Sequence, residues 1–245
     1  MSKNNLTNVD YWNNLWDHNK FKIAPQDDPI RKWLELHIPK GQGKCIEIGC
    51  IPGRYLAVFG EKGYELFGID WTQRVTQDLP DWLLKCGYSV GEFYCKNFEE
   101  FDTKDRYDIV CSFGFIEHFT RWDNILLRHA NLVKDNGYII IETPNFRGYI
   151  QRFIHILLDK KNFNNHNIDA MQPSLWQNIL ILNGFEIIYC GYIGGFDYWV
   201  ELQDRNFIQK VALKLLMRGK KYLTKISFTS SLFSPYIGII AKKII

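Results

Sequence analysis

The stretch Lys44-Cys45-Ile46-Glu47-Ile48-Gly49-Cys50-Ile51-Pro52-Gly53-Arg54-Tyr55 constrains the fold more than any other. Its first residues read as a short buried strand, and Gly49 and Gly53 punctuate a tight turn before a helix start. Glycine lets a backbone approach a ligand closely, and a helix N-terminus offers unpaired N–H groups. Strand–turn–helix units of this kind open doubly wound α/β folds, which bind ligands at the carboxyl ends of their strands. Glu47 stands two residues before the first glycine, and Gly49-x-x-x-Gly53 is not the dinucleotide fingerprint Gly-x-Gly-x-x-Gly. A structural βα turn would explain the glycines but not the carboxylate.

The rest of the chain repeats the alternation. A helix from about Arg54 to Lys62 stops at Gly63, and a second strand, Glu65–Ile69, ends in Asp70. A carboxylate at that place, about twenty residues past the turn, can accept from both hydroxyls of a ribose. Trp71 follows and could pack on the nucleoside, although simple core packing serves it equally well. Helix 72–87 carries a break at Leu79-Pro80. Strand three, Tyr88–Cys95, leads to Asn97-Phe98. Strand four, Tyr107–Ser112, leads to Phe113-Gly114-Phe115-Ile116-Glu117-His118. After helix 122–133 and the turn Lys134-Asp135-Asn136-Gly137, strand five, Tyr138–Glu142, closes at Thr143-Pro144-Asn145. An apolar helix over 148–159 precedes a polar loop that holds His166, and Ser174 is the expected cap of the helix 175–182. Two further strands, about 186–191 and 236–241, close the chain.

Glu47-x-Gly49-x-x-x-Gly53, Asp70, Asp108, Glu117-His118 and Thr143-Pro144-Asn145 together resemble the class I S-adenosylmethionine (SAM) methyltransferases over roughly residues 28–245. Within that family the chain is most similar to sugar or surface-glycan methyltransferases and to the ubiquinone-biosynthesis O-methyltransferases. The resemblance implies an α/β, doubly wound Rossmann-like sandwich with a seven-stranded, mostly parallel sheet and an antiparallel last strand. It implies one methyltransferase domain over 1–245, with a helical lid (1–40), a substrate-loop insertion (147–173) and a basic amphipathic helix (202–230). SAM is the implied cofactor, lined by Glu47, Gly49, Gly53, Asp70, Trp71, Asn97, Phe98 and Ser112. Asn97 stands where the family often has a carboxylate for the adenine amino group, and Ile51 replaces its usual middle glycine. Alcohol acceptors are weak nucleophiles and need a base as the proton leaves. His118 or His166 is expected as that base, with Glu117 orienting it and Asn145 positioning the substrate. Gly114 replaces a metal-binding Glu of the ubiquinone branch, so no metal is expected. The expected acceptor is a hydroxyl of a sugar or surface-glycan precursor, with a phenol or quinone precursor, or a non-catalytic SAM-fold protein, as the alternatives.

Composition fits this reading. Hydrophobic residues make up 46% and charged residues 23%, as in globular proteins, and a net charge of +3 is too small to argue for nucleic acid. The start, Met1-Ser2-Lys3-Asn4-Asn5, lacks the apolar core of a signal peptide. Six cysteines without a Cys-x-x-Cys pair suit reduced thiols and a cytoplasmic setting. Residues 6–22 show aromatic residues at helical spacing, with Asp10 as the expected cap. Helix 202–226 sets Phe207, Val211, Leu215 and Leu216 against Lys210, Lys214, Arg218, Lys220 and Lys221. This pattern fits a helix resting on the core, or a peripheral contact with the inner face of a membrane.

Overall fold

The computed structural model describes residues 4–17, 19–201 and 203–244. Helix α1 spans Val9–Trp16, and its cap is Asn8, whose side chain accepts from Tyr11 N at 2.8 Å. Asp10, the expected cap, lies inside the first turn, where its charge still complements the helix dipole. Helix α2 (Pro29–His37) starts as expected, with Asp28 accepting from Ile30 N and Arg31 N and proline in the first turn.

Strand β1 (Lys44–Ile48) then enters the sheet, followed by α3 (Leu56–Glu61) and β2 (Glu65–Asp70). The break at Leu79-Pro80 divides the next helix into α4 (Arg74–Gln77) and α5 (Leu79–Lys85). Strands β3 (Val90–Cys95) and β4 (Tyr107–Phe113) and helix α6 (Trp122–Leu132) follow. Strand β5 (Val133–Pro144) absorbs the expected turn, because Asn136 takes a left-handed backbone (φ 63°) inside the strand rather than ending it. The expected polar loop holds more structure than foreseen. The apolar helix forms as α7 (Tyr149–Leu158), and the stretch after it contains α8 (Lys160–Asn164) and a 3₁₀ turn at Ile168–Ala170. Helix α9 (Pro173–Leu182) is led by proline with Gln172 in the cap position, so Ser174 falls within its first turn. Strand β6 (Phe185–Ile193), helix α10 (Phe207–Leu223) and strand β7 (Tyr236–Lys243) complete the chain. Helix α10 is shorter than expected, because a capping box between Asn206 and Gln209 fixes its start, and Leu202 lies outside the described residues.

The seven strands form one sheet in the order β3-β2-β1-β4-β5-β7-β6. β7 alone runs antiparallel to its neighbours. The order reverses between β1 and β4, so a crevice opens outside their carboxyl ends. Strand alternation feeds two apolar layers. Ile46 and Ile48 face the layer built with α6 and α9, while Cys45 faces the layer built with α2, α3 and α5. Glu47 shares the Cys45 face and is buried there. Trp176 anchors the first layer, fully buried, with its indole N–H donating to Ala170 O at 2.6 Å. Among the described residues no helix is long and apolar enough to cross a membrane.

Candidate active site

The crevice at the reversal point is a cleft whose lining includes Gly49, Ile51, Asp70, Trp71, Asn97 and Phe98. The glycine turn fits against it closely. Gly49 has φ +70°, and a Cβ there would stand 2.5 Å from the Phe115 ring, so no other residue suits both the backbone and the space. Asp70 ties the turn to β2. Its carboxylate accepts from Ile51 N at 3.1 Å and from Thr72 N at 3.0 Å. Burial raises its pKa while these backbone donors oppose the shift. Asn97 caps the next turn through Glu99 N, and Phe98 is buried beside it.

Three further residues expected on the cofactor side stand behind this lining. Gly53 packs on Leu79 in the turn, so its part is to shape the loop. Ser112 is wholly buried in β4 with its hydroxyl unpartnered. Glu47 is buried beneath the turn with Oε2 unpartnered, and burial holds its pKa well above the usual carboxylate range. These features suit SAM: an acidic residue at the end of β2 for a ribose diol, aromatic faces for an adenine, and an orphaned carboxylate behind the glycine turn for a cationic ligand.

The N-terminal segment borders the cleft. Trp12 and Trp16 of α1 line it, stacked on each other with centroids 6.5 Å apart. Arg74 donates to Trp16 O and Asn19 O, and Leu6 N donates to His118 O at 2.9 Å.

Where β4 ends, Gly114 (φ +64°) turns the chain into a 3₁₀ turn carrying Glu117 and His118. His118 lines the cleft, with Trp12 edge-on to its ring at 4.8 Å. α8 and the residues after it bring His166 up against it, with ring centroids 4.5 Å apart. His118 Nδ1 bonds to Asn165 O at 2.9 Å and His166 Nδ1 to Asn162 O at 2.7 Å. A carbonyl only accepts, so both rings carry their proton on Nδ1 and present a lone pair on Nε2. Both Glu117 oxygens are buried and unpartnered, and Oε1 lies 4.0 Å from His118 Nε2. The ligand atoms of Glu117, His118 and His166 all fall within 4.8 Å of one another, so this trio could also hold a divalent cation. Burial pushes Glu117 up to about 8 and His118 down to about 4, and it also lowers His166.

Asn145 commits both amide hydrogens and one acceptor site of its oxygen within the protein. Its amide donates to Ser231 O and Ser234 O, and its Oδ1 accepts from Gly148 N. Its place after Pro144 makes it the lock of a turn.

Two groups near the site were not foreseen. Glu142, at the carboxyl edge of β5, is buried with Oε1 unpartnered and a pKa pushed well up by burial, with Glu117 adding to the rise. An acidic residue near the end of an apolar strand is the signal that singled out Glu47, and it applied equally here. The second group is the fully buried pair His155 and Asp159, 3.0 Å apart, whose Asp159 also accepts from Asn162 Nδ2. Helical i,i+4 spacing was its only trace in the sequence.

A family model described as a methyltransferase domain matches residues 19–189. The ubiquinone biosynthesis O-methyltransferase of Leptothrix cholodnii is 27% identical over 135 residues, which cover 53% of this chain and 57% of that protein. The chain thus spans little more than half the length of the curated relatives it matches. A SAM dependent methyltransferase from Archaeoglobus fulgidus has a similar structure, with a TM-score of 0.55 and 21% identity, over 87% of this chain and 93% of that one. The N-methyltransferase NodS from Bradyrhizobium japonicum, solved in complex with S-adenosyl-l-homocysteine, matches with a TM-score of 0.55 and 13% identity, over 98% and 94% of the two chains. At these identities the two structures show a shared fold.

Proposed function

From the premise that this chain belongs to the methyltransferase-domain family, we propose that it transfers the methyl group of SAM to a hydroxyl of a small molecule. One observation carries the choice of a hydroxyl. The Nε2 lone pairs of His118 and His166 stand with Glu117 beside the cofactor cleft, and the Glu117 carboxyl, held largely protonated at neutral pH, can satisfy at most one of the two. An O–H group supplies the missing donor.

When bound, SAM supplies a methyl group already activated on a sulfonium. Asp70 holds the ribose hydroxyls, and Trp71 and Phe98 pack on the nucleoside. Asn97 presents its side chain to the adenine edge, and the turn at Gly49 lets the backbone approach. Glu47 adds negative charge from behind the turn. His118 or His166 takes the acceptor proton on Nε2, with Glu117 orienting the pair. The lid residues Trp12 and Trp16 exclude water from the cleft. Positioning of this kind can supply several kcal/mol, on the order of 7 in good cases.

The relatives named for ubiquinone biosynthesis support a phenol or quinone-precursor acceptor. So does the aromatic wall beside His166, where Phe146 lies 4.7 Å from the His166 ring and stacks on Phe163 at 5.9 Å. The sugar or surface-glycan acceptor expected from the sequence finds no support among these relatives and takes second place. Six free cysteines support a reducing, cytoplasmic setting, and the small net charge speaks against nucleic acid as substrate. The test is release of S-adenosylhomocysteine from SAM over a panel of catechols, quinone precursors, sugar nucleotides and glycolipids. Turnover of catechols alone is expected. Turnover of sugar nucleotides alone would reverse the order, and absence of SAM binding by calorimetry would leave a non-catalytic relative.

A further inference from the structure

Helix α10 lies outside the residues that match the methyltransferase-domain model, and it has no buried residue. One side rests on a small apolar cluster through Ala212, Leu213 and Leu216, against Ile154 and Leu158 of α7 and Tyr198. The next stripe around the helix is apolar but uncovered: Ile208 is 77% exposed, and Val211, Leu215 (63%) and Tyr222 follow it at helical spacing. Beyond that stripe stand Lys210, Lys214, Arg218 and Lys221, all exposed and without an ion pair among the described residues.

Helix α7 repeats the pattern. It packs against α10, and Gln209 Nε2 donates to Leu157 O at 2.9 Å. Its outer face carries Tyr149, Phe153 (64% exposed) and Ile156, spaced one helical turn apart. Exposed Leu232 extends the apolar surface past the start of α7, where Ile150 N donates to Leu232 O. The charge is of one sign. From Asn206 to Tyr236 the chain holds six Lys or Arg and no Asp or Glu, and α7 itself has no acidic residue.

A protein partner for so cationic a face would need both an acidic surface and a matching apolar one. An anionic lipid surface offers both at once, acyl chains beneath and phosphates at the level of the lysines. We propose that the α7–α10 face docks on an anionic phospholipid surface, with the apolar stripes entering the headgroup layer and the lysines of α10 on the phosphates. α7 leads directly into α8, whose Asn162 carbonyl holds His166. The docked face is therefore joined to the acceptor side of the site by one short segment. The proposal does not depend on which acceptor is methylated.

The test is co-sedimentation of the full chain with vesicles of phosphatidylglycerol and phosphatidylcholine, mixed at about one to two, against phosphatidylcholine alone. Binding to the anionic vesicles that weakens with salt is expected. Lys214→Gln with Lys221→Gln should lower the partition roughly thirtyfold, and Val211→Glu with Leu215→Glu should abolish it, while both variants keep wild-type SAM affinity. The lysines are exposed, so the first variant folds whatever happens to the second. Equal recovery of wild type in the supernatant with and without anionic vesicles overturns the proposal. So does unchanged binding by both variants. A wild-type dimer that Val211→Glu with Leu215→Glu splits, without any change in vesicle binding, assigns the face to a second copy of the chain instead.

Discussion

His118 and His166 face each other with ring centroids 4.5 Å apart, and each gives its Nδ1–H to a carbonyl of the segment Asn162–Asn165. One short stretch of backbone thus sets both tautomers and leaves both Nε2 atoms unprotonated, with the pair gathered beside Glu117. A helix that held only one ring would fix half of a base; this one fixes the pair.

Replacing the base should lower kcat by about 10²- to 10⁴-fold with little change in SAM affinity. His118→Asn and His166→Asn, assayed by S-adenosylhomocysteine release, identify which ring that is. The two losses should not multiply in the double variant, because the rings act as one unit. Wild-type kcat in both single variants removes this pair from the chemistry.

Glu117 gives the site a stability signature in pH. Its carboxyl titrates near 4.5 when exposed and at about 8 in the fold. As pH rises through that window the unfolded chain sheds its proton first, so stability falls from about pH 4.5 to about pH 8 and then levels. Glu117→Gln should therefore raise the melting temperature at pH 8 by roughly 3 °C and leave it nearly unchanged at pH 4.5. His118 works in the other direction. Its native value of about 4 lies below the ordinary 6.5, so its contribution is lost as pH falls from 6.5 towards 4. Calorimetric scans of wild type and both single variants across pH 4–9 check this, and parallel curves for wild type and Glu117→Gln would contradict it.

Asp70 joins the glycine turn to the end of β2 through Ile51 N and Thr72 N. Asp70→Ala removes the ribose acceptor and loosens the turn together, and SAM binding should drop by at least about a hundredfold in calorimetry. Ile51 lines the same cleft where the family usually has glycine. If its side chain crowds the ligand, Ile51→Gly binds SAM more tightly than wild type. Equal affinity would show that the cleft accommodates Ile51.

The strand order was legible because β1, β2, β4 and β5 are apolar runs ended by glycine, aspartate or proline, and their alternation with helices leaves few topologies. The positions of Asp70 at the end of β2 and of Glu117 and His118 just after β4 were legible for the same reason. Strand position says where Asn145 lies, not that its amide hydrogens are already committed. Glu142 carried the same strand-end signal as Glu47, whereas the burial of the His155–Asp159 pair is a property of packing between segments distant in sequence. The closeness of His118 to His166 depends on α8, which the Asn-rich composition disguised as loop.

Asn145 should therefore report on stability and not on chemistry. Asn145→Ala leaves the carbonyls of Ser231 and Ser234 and the Gly148 N–H without their side-chain partner, at a cost of about 1–3 kcal/mol. Urea denaturation should show that loss while kcat stays within about twofold of wild type. A collapse of kcat at unchanged stability would restore the substrate-holding role.

The lid gives the last prediction. Helix α1 buries no residue of its own, so packing alone does not hold it. Arg74 fastens it from the second-strand side by donating to Trp16 O and Asn19 O while its guanidinium lies 4.5 Å over the Phe21 ring. On the other side Leu6 N and the Asn4 carbonyl bond to the segment around His118. Arg74 is not part of the cleft lining; among the described residues its contacts include Trp16, Asn19, Phe21 and Asp78. Arg74→Ala should leave global stability nearly unchanged, because α1 lies at the low-stability end of the structure. It should raise the SAM dissociation constant roughly tenfold through faster release, and it should expose the segment around Trp16 to limited proteolysis. Bound SAM should restore part of that protection, since Trp12 and Trp16 close over the ligand. Unchanged release and unchanged cleavage would mean that the contacts at Leu6 and Asn4 suffice to hold the lid.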